Sequence, residues 1–123
     1  MWIYTEHGFV SAVAKNKNST ELTVRARDRR SLDGLVALGS TPVTIGEGTD
    51  YPYRTLVSRA VFKYWVDQSI EDLGYSNFKN RIYETRGSEY AQTLGAVWDA
   101  NLDLEDQEAA EYWRDLSVRK LGR

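Results

Sequence analysis

The sequence has no cysteine, and this absence removes several classes of function. Without thiols the chain has no disulfide framework, no thiolate nucleophile and none of the common cysteine-based zinc modules. Histidine is nearly as scarce, because His7 is the only one. A metal centre needs several converging ligands and a catalytic histidine needs a nucleophile beside it, and the sequence shows neither. We therefore expect no metal and no cofactor, and the pattern argues against an enzyme.

Long apolar runs are also missing, so no segment is a candidate membrane span. The first residues, Met1 to His7, have neither the basic nor the apolar part of a secretory signal peptide. Gly46 and Gly48 fit neither a dinucleotide-binding loop nor a P-loop, and we interpret them as part of a turn. These absences favour a cytoplasmic protein that contacts no membrane.

Charge gives no general attraction to nucleic acid, because the formal net charge is only −2. The charges are divided unevenly, however. Residues 1–60 contain eight Lys and Arg against six Asp and Glu, whereas residues 61–123 contain eight against twelve. This division predicts a mildly basic first half and an acidic second half.

The first half alternates apolar and polar residues with period two, which is typical of half-buried strands. Strands are predicted over Trp2–Tyr4, Phe9–Lys15 and Leu22–Arg27, and a hairpin over Pro42–Ile45 and Tyr53–Val57. In the third strand the apolar residues alternate with Arg25 and Arg27, which we expect to point outward from the sheet.

Helical spacing of apolar residues dominates the second half. Helices are predicted to begin at Asp28, Ser58, Ser76 and Ser88, and after Glu105. Together the elements predict an α+β fold: an antiparallel sheet built from a meander and a hairpin, helices on one face, and a helical C-terminal third. A ferredoxin-like first half is left open. Residues 1–123 are predicted to form one domain, with residues 105–123 as a helical extension.

Arginines and aromatic residues form the candidate binding sites. Arg25 and Arg27 lie two residues apart on one strand, so their guanidinium groups could clamp phosphate or acidic side chains. The alternative is a solvated sheet face with ordinary surface ion pairs.

Two further clusters combine aromatic and polar residues. They are Tyr51, Tyr53 and Arg54, and then Tyr75, Asn77, Phe78 and Lys79. Alternation predicts Tyr51 and Tyr53 on one side of their strand, with Arg54 opposite. Each cluster could pack the edge of the core or present anchors to a partner.

These segments resemble a family of short uncharacterised proteins of actinobacteria and their phages. The matching pieces are Met1–Thr5, Gly8–Ser11, Leu22–Arg27, Asp50–Arg54 and Tyr75–Lys79, within about residues 1–98. The resemblance implies a phage or accessory bacterial protein, which would act in the host cytoplasm if phage-encoded. It implies no particular activity.

Three hypotheses for function remain open. The first is a non-enzymatic protein that binds a protein partner or self-associates, which the many aromatic residues favour. The second is nucleic-acid binding by the face of Arg25 and Arg27, because a basic sheet with aromatic residues has the ingredients of a single-strand RNA platform. The glycine–aromatic signature of that module is missing, however. The third is a small enzyme with an unrecognised site.

Overall fold

Five strands form one antiparallel sheet in the computed structural model, which describes residues 1–46 and 50–121. The strands are β1 (Trp2–Thr5), β2 (Gly8–Val13), β3 (Glu21–Ala26), β4 (Thr44–Ile45) and β5 (Tyr53–Ser58). Their spatial order is β1-β2-β3-β5-β4, and each pair of neighbours is antiparallel. Most of the turn predicted between β4 and β5, at residues 47–49, lies outside the described residues.

The predicted α+β fold is confirmed, with a meander from β1 to β3 and a hairpin from β4 and β5. Strand β5 joins the hairpin to the meander, because β5 pairs with β3 along the whole length of both strands. The ferredoxin-like alternative does not hold. That fold is built from split β-α-β units, whereas β1, β2 and β3 follow one another without a helix and lie side by side in chain order.

The core lies between one face of this sheet and two helices, α1 (Asp33–Ala37) and α2 (Arg59–Glu71). A 3-10 turn, Arg30–Leu32, leads into α1. The buried side chains that contact one another are Val10, Ala12, Leu22, Val24, Ala26, Leu32, Leu35, Val57, Phe62 and Trp65. The apolar positions of β3 therefore point inward, as their alternation predicts.

Two helices bury fewer of their apolar residues than the sequence pattern predicts. In α1, Leu35 is buried, whereas Val36 and the following Leu38 are exposed, because a helix of five residues makes fewer than two turns. In α2, Phe62 and Trp65 are buried, whereas Tyr64 is 52% exposed. The side of α2 that faces the sheet is therefore lined by the rings of Phe62 and Trp65.

Side-chain caps explain where the next helices start. The hydroxyl of Ser58 accepts from the backbone N–H of Val61 and caps α2, as predicted. Helix α3 (Phe78–Arg86) is capped by Asn77 and not by the predicted Ser76. Gly87, at φ +90°, separates α3 from α4 (Ser88–Ala100), in agreement with the separate helix start predicted at Ser88.

Polar contacts attach α3 to the β1–β2 turn. Arg86 has a side chain only 8% exposed, and its Nη2 lies 2.8 Å from Oδ1 of Asp28. Its Nη1 donates to the backbone carbonyl of His7. Nearer the start of α3, Arg81 forms an ion pair with Glu6. These contacts fix the α3–α4 pair beside strand β1.

The described chain ends with a 3-10 turn, Asn101–Leu104, and helix α5 (Gln107–Leu121). This last helix corresponds to the extension predicted from residue 105. Among the described residues, α5 packs closely against no other element. Within the same residues, the structure contains no helix with the length and apolar character needed to cross a bilayer.

Candidate functional site

The sheet face opposite α1 and α2 carries aromatic rings and arginines. Its members are Trp2, Tyr4, Phe9, Arg25, Arg27, Tyr51 and Arg54, and we call this surface the aromatic–arginine face. Strand register brings them together, because Tyr4 lies opposite Phe9 and Arg25 lies opposite Arg54. Residues directly opposite in an antiparallel pair project to the same side of the sheet. One surface is thereby assembled from four separate segments of the chain.

The rings of this face form a continuous cluster. Phe9 stacks on Tyr4 with centroids 4.5 Å apart, meets Trp2 edge-on at 5.7 Å, and lies 6.3 Å from Tyr51. Trp2 is 67% exposed, whereas Tyr51 is 7% exposed. Burial raises the pKa of the Tyr4 hydroxyl, and the nearby Tyr51 and Tyr90 hydroxyls add to the rise, so Tyr4 stays neutral near pH 7. The cluster is therefore apolar and uncharged, and its Trp2 end is open to solvent.

The arginines surround the inner end of the ring cluster. The guanidinium carbons of Arg25 and Arg27 lie 4.6 and 4.8 Å from the centroid of the Tyr51 ring, within the range of cation–π attraction. Nη2 of Arg25 donates to the buried hydroxyl of Ser11 at 2.8 Å. These contacts hold the guanidinium groups in place, although Arg27 remains exposed.

Within the described residues, the arginines of this face form no ion pair. Among the described residues, no carboxylate oxygen lies within 4.0 Å of a nitrogen of Arg25, Arg27 or Arg54. Arg25 and Arg54 stand directly opposite each other, and the Nε atom of each is buried without a hydrogen-bond acceptor. An anion bound by the outer nitrogens of these guanidinium groups would supply the opposite charge.

Tyr53 does not belong to this face, which corrects the predicted pairing of Tyr51 with Tyr53. Tyr53 lies opposite Ala26 and packs against the core, with Arg29 5.5 Å from its ring. Tyr51 precedes β5 and is separated from it by Pro52, so strand alternation does not extend to it. Tyr51 consequently lies on the same side as Arg54.

The residues of the third cluster have different roles. Asn77 accepts from the backbone N–H of Asn80 at 2.9 Å and serves as a helix cap. Phe78, 6.0 Å from the Tyr75 ring, lines an apolar groove of about 210 Å³ together with Tyr4, Leu94, Val97, Trp98 and Asn101. Nζ of Lys79 lies 4.6 Å from the centroid of the Trp98 ring. Because Tyr4 belongs to both surfaces, this groove continues the aromatic–arginine face toward α4.

Sequence reasoning missed several members of the surface. Trp2, Tyr4 and Phe9 were predicted to lie in strands but not in a binding site, and Trp98 was not predicted as a site residue. The available signal was period-two alternation, which places Trp2 and Tyr4 on one face of the first strand and Phe9 and Ser11 on one face of the second. Only the register between strands shows that these residues and the arginines lie on one side.

The remaining ionisable groups form no second centre in the described part of the chain. The side chain of His7 is 63% exposed and lies 3.8 Å from a Glu6 carboxylate oxygen. Within residues 1–46 and 50–121, no group of three or more histidines and carboxylates is arranged to hold a metal ion. The aromatic–arginine face is therefore the surface on which we base a function.

No protein-family model, curated protein or solved structure matches this chain.

Proposed function

We propose that this protein binds single-stranded nucleic acid on its aromatic–arginine face. The observation that carries the proposal is the pair of opposed arginines, Arg25 and Arg54, which form no ion pair within the described residues and lie beside a cluster of aromatic rings. Like charges directly opposite in a sheet are destabilising by about 0.2–1 kcal/mol. A phosphate bound by the two guanidinium groups would offset this repulsion.

The rings beside the arginines favour nucleic acid over an acidic peptide. Bases stack on exposed aromatic side chains, and each such contact contributes about 1–3 kcal/mol. Trp2 provides an open ring next to Phe9, and Trp98 provides a second one at the far side of the groove. An acidic peptide would use the arginines but would leave these rings without a matching group.

A single strand fits this surface better than a duplex. The bases of a duplex are stacked on one another, so they cannot lie on rings, whereas an unpaired strand exposes both phosphates and base faces. The net charge of −2 means that attraction must come from this local surface and not from the whole molecule. We therefore expect a weak salt dependence, with a slope of about −0.7 for each phosphate contact.

The test is fluorescence anisotropy with labelled DNA and RNA oligonucleotides of about 12 nucleotides, a length within the range of single-strand modules, over a series of salt concentrations. Arg25→Ala/Arg27→Ala is expected to weaken binding and to make the salt slope less negative by about 1.4, since two phosphate contacts are lost. Arg25→Lys/Arg27→Lys keeps the charge and is expected to keep more of the affinity.

A matched control removes two positive charges elsewhere. Lys17→Ala/Lys63→Ala changes exposed residues in the β2–β3 loop and on α2, and is expected to leave the affinity close to that of the native protein. Trp2→Ala is expected to weaken binding without changing the salt slope, because it removes stacking and no charge. Equal losses in the control and the arginine variant, or tighter binding of an acidic peptide than of any oligonucleotide, would refute the proposal.

A further inference from the structure

Helix α5 has an apolar stripe in which Ala109 and Leu116 are half-buried and the two aromatic rings are exposed. The stripe consists of Ala109, Tyr112, Trp113 and Leu116, at the three- and four-residue spacing of one helix side. Tyr112 and Trp113 are 59% and 55% exposed, and their rings meet at 5.3 Å. Two neighbouring aromatic rings open to water form an apolar patch of the kind that marks contact surfaces.

The charges of α5 indicate what that partner is. Acidic groups lie at its start, with Asp106 capping the helix and Glu108 in the first turn, and basic groups lie in its last turn, at Arg119 and Lys120. A helix with opposite charges at its two ends is complementary to a second copy of itself in the antiparallel orientation. In the parallel orientation the acidic ends would face each other, and so would the basic ends.

The apolar stripe has the same self-complementarity. It is symmetric about the midpoint between Tyr112 and Trp113, because Ala109 and Leu116 are equally distant from that point. A two-fold axis there would place each stripe on the other, as the isologous interface of a homodimer requires. The same axis would bring Glu108 of one copy near Arg119 of its partner.

We infer that α5 pairs with the α5 helix of a second copy of this chain, in an antiparallel arrangement centred between Tyr112 and Trp113. This inference does not rest on the proposed function, since it uses no residue of the aromatic–arginine face. Each ring can bury at most the part of its surface that is now exposed, so the four rings of the two copies would bury about 300–600 Å². Stable interfaces bury about 1,200 Å² or more, so we expect a dimer that dissociates on dilution.

Association is tested by analytical ultracentrifugation of the full chain over a range of concentrations. The native protein is expected to change from monomer to dimer as concentration rises, and Trp113→Glu is expected to remain monomeric throughout that range. Tyr83→Glu is the matched control, because Tyr83 is a 60% exposed ring on α3, and it should associate like the native protein. A native protein that stays monomeric at every concentration would overturn the inference.

Orientation is tested by cross-linking, which the absence of native cysteine makes clean. In the antiparallel pair, Glu108→Cys of one copy and Arg119→Cys of the other would be offset by about 3 Å along the helix axes, whereas two Glu108→Cys positions would be offset by about 13 Å. A short thiol-reactive cross-linker is used, because packed helices lie about 8–10 Å apart and a direct disulfide needs a shorter distance. A mixture of the two variants is expected to cross-link much faster than either variant alone. Equal or faster cross-linking by the single variants would mean a parallel pair and would refute the proposed arrangement. Circular dichroism of each variant checks that α5 remains helical.

Discussion

At the scale of single residues, Arg86 joins three parts of the molecule. Its guanidinium group donates to Asp28 at 2.8 Å, to the carbonyl of His7 at 2.6 Å and to the hydroxyl of Ser31 at 3.3 Å. The same group lies 4.1 Å from the centroid of the Tyr90 ring in α4. Because this side chain is almost completely buried, its charge is stabilised by these contacts and not by water.

Close approach of the β1–β2 turn to Arg86 depends on Gly8. Gly8 has φ +140°, a conformation that residues with a Cβ rarely adopt. A Cβ at this position would lie 2.2 Å from the hydroxyl oxygen of Ser31 and 2.6 Å from Nη1 of Arg86. The glycine therefore permits both the turn and the contact between turn and helix.

Replacing Arg86 is expected to destabilise the fold. Removing one partner of a buried ion pair costs about 3–5 kcal/mol. Because the Asp28 side chain is 32% exposed and keeps some hydration, we expect Arg86→Ala to lower the free energy of unfolding by about 2–3 kcal/mol. Urea denaturation followed by circular dichroism measures this change. Arg114→Ala, on the exposed surface of α5, serves as the control, and a loss for Arg86→Ala as small as for that control would contradict the assignment.

At the scale of elements, the start of α3 has two adjacent residues that could serve as its N-cap. Ser76 and Asn77 are both residue types that favour the N-cap position. The structure uses Asn77, and the first helical residue is then Phe78, whose ring lines the groove beside Tyr4. The Phe78 ring therefore lies beside Tyr4 of the edge strand β1.

The two candidate caps make a direct comparison possible. Asn77→Ala is expected to lower the free energy of unfolding by about 1 kcal/mol, because it removes the acceptor for the Asn80 N–H. Ser76→Ala should leave stability nearly unchanged. Thermal and urea unfolding of the two variants and the native protein provide the measurement. A larger loss for the serine variant would show that α3 begins one residue earlier in solution.

At the scale of the whole molecule, the two proposals together predict bivalent binding. An antiparallel α5 pair would hold two aromatic–arginine faces in one particle. An oligonucleotide long enough to reach both faces should then bind more tightly than a short one, because the second contact becomes intramolecular. The gain is expected in the native protein and not in Trp113→Glu.

Anisotropy titrations with a series of oligonucleotide lengths measure this effect. Short oligonucleotides should bind the native protein and Trp113→Glu with equal affinity, because neither the arginines nor Trp2 are changed. Long ones should bind the native protein about tenfold or more tightly, a modest gain for linked sites. An unchanged ratio at every length would show that the two faces do not act on one strand.

The sequence by itself determined much of the local structure. Period-two alternation assigned the inward and outward residues of β3, and Ser58 and Ser88 marked helix starts that the structure contains. Such features depend on residues close together in the chain, so propensity and spacing are sufficient to predict them. The α+β class followed from the order of these elements.

Only the tertiary structure decided which residues meet. Alternation shows that Arg25 points outward, but the pairing of β3 with β5 places Arg54 opposite it and brings Tyr51 beside it. The same pairing turns Tyr53 toward the core. Strand register is fixed by how apolar side chains from distant segments pack together, and a local pattern carries no information about that packing. The members of the candidate site were therefore visible in the sequence, whereas the site itself was not.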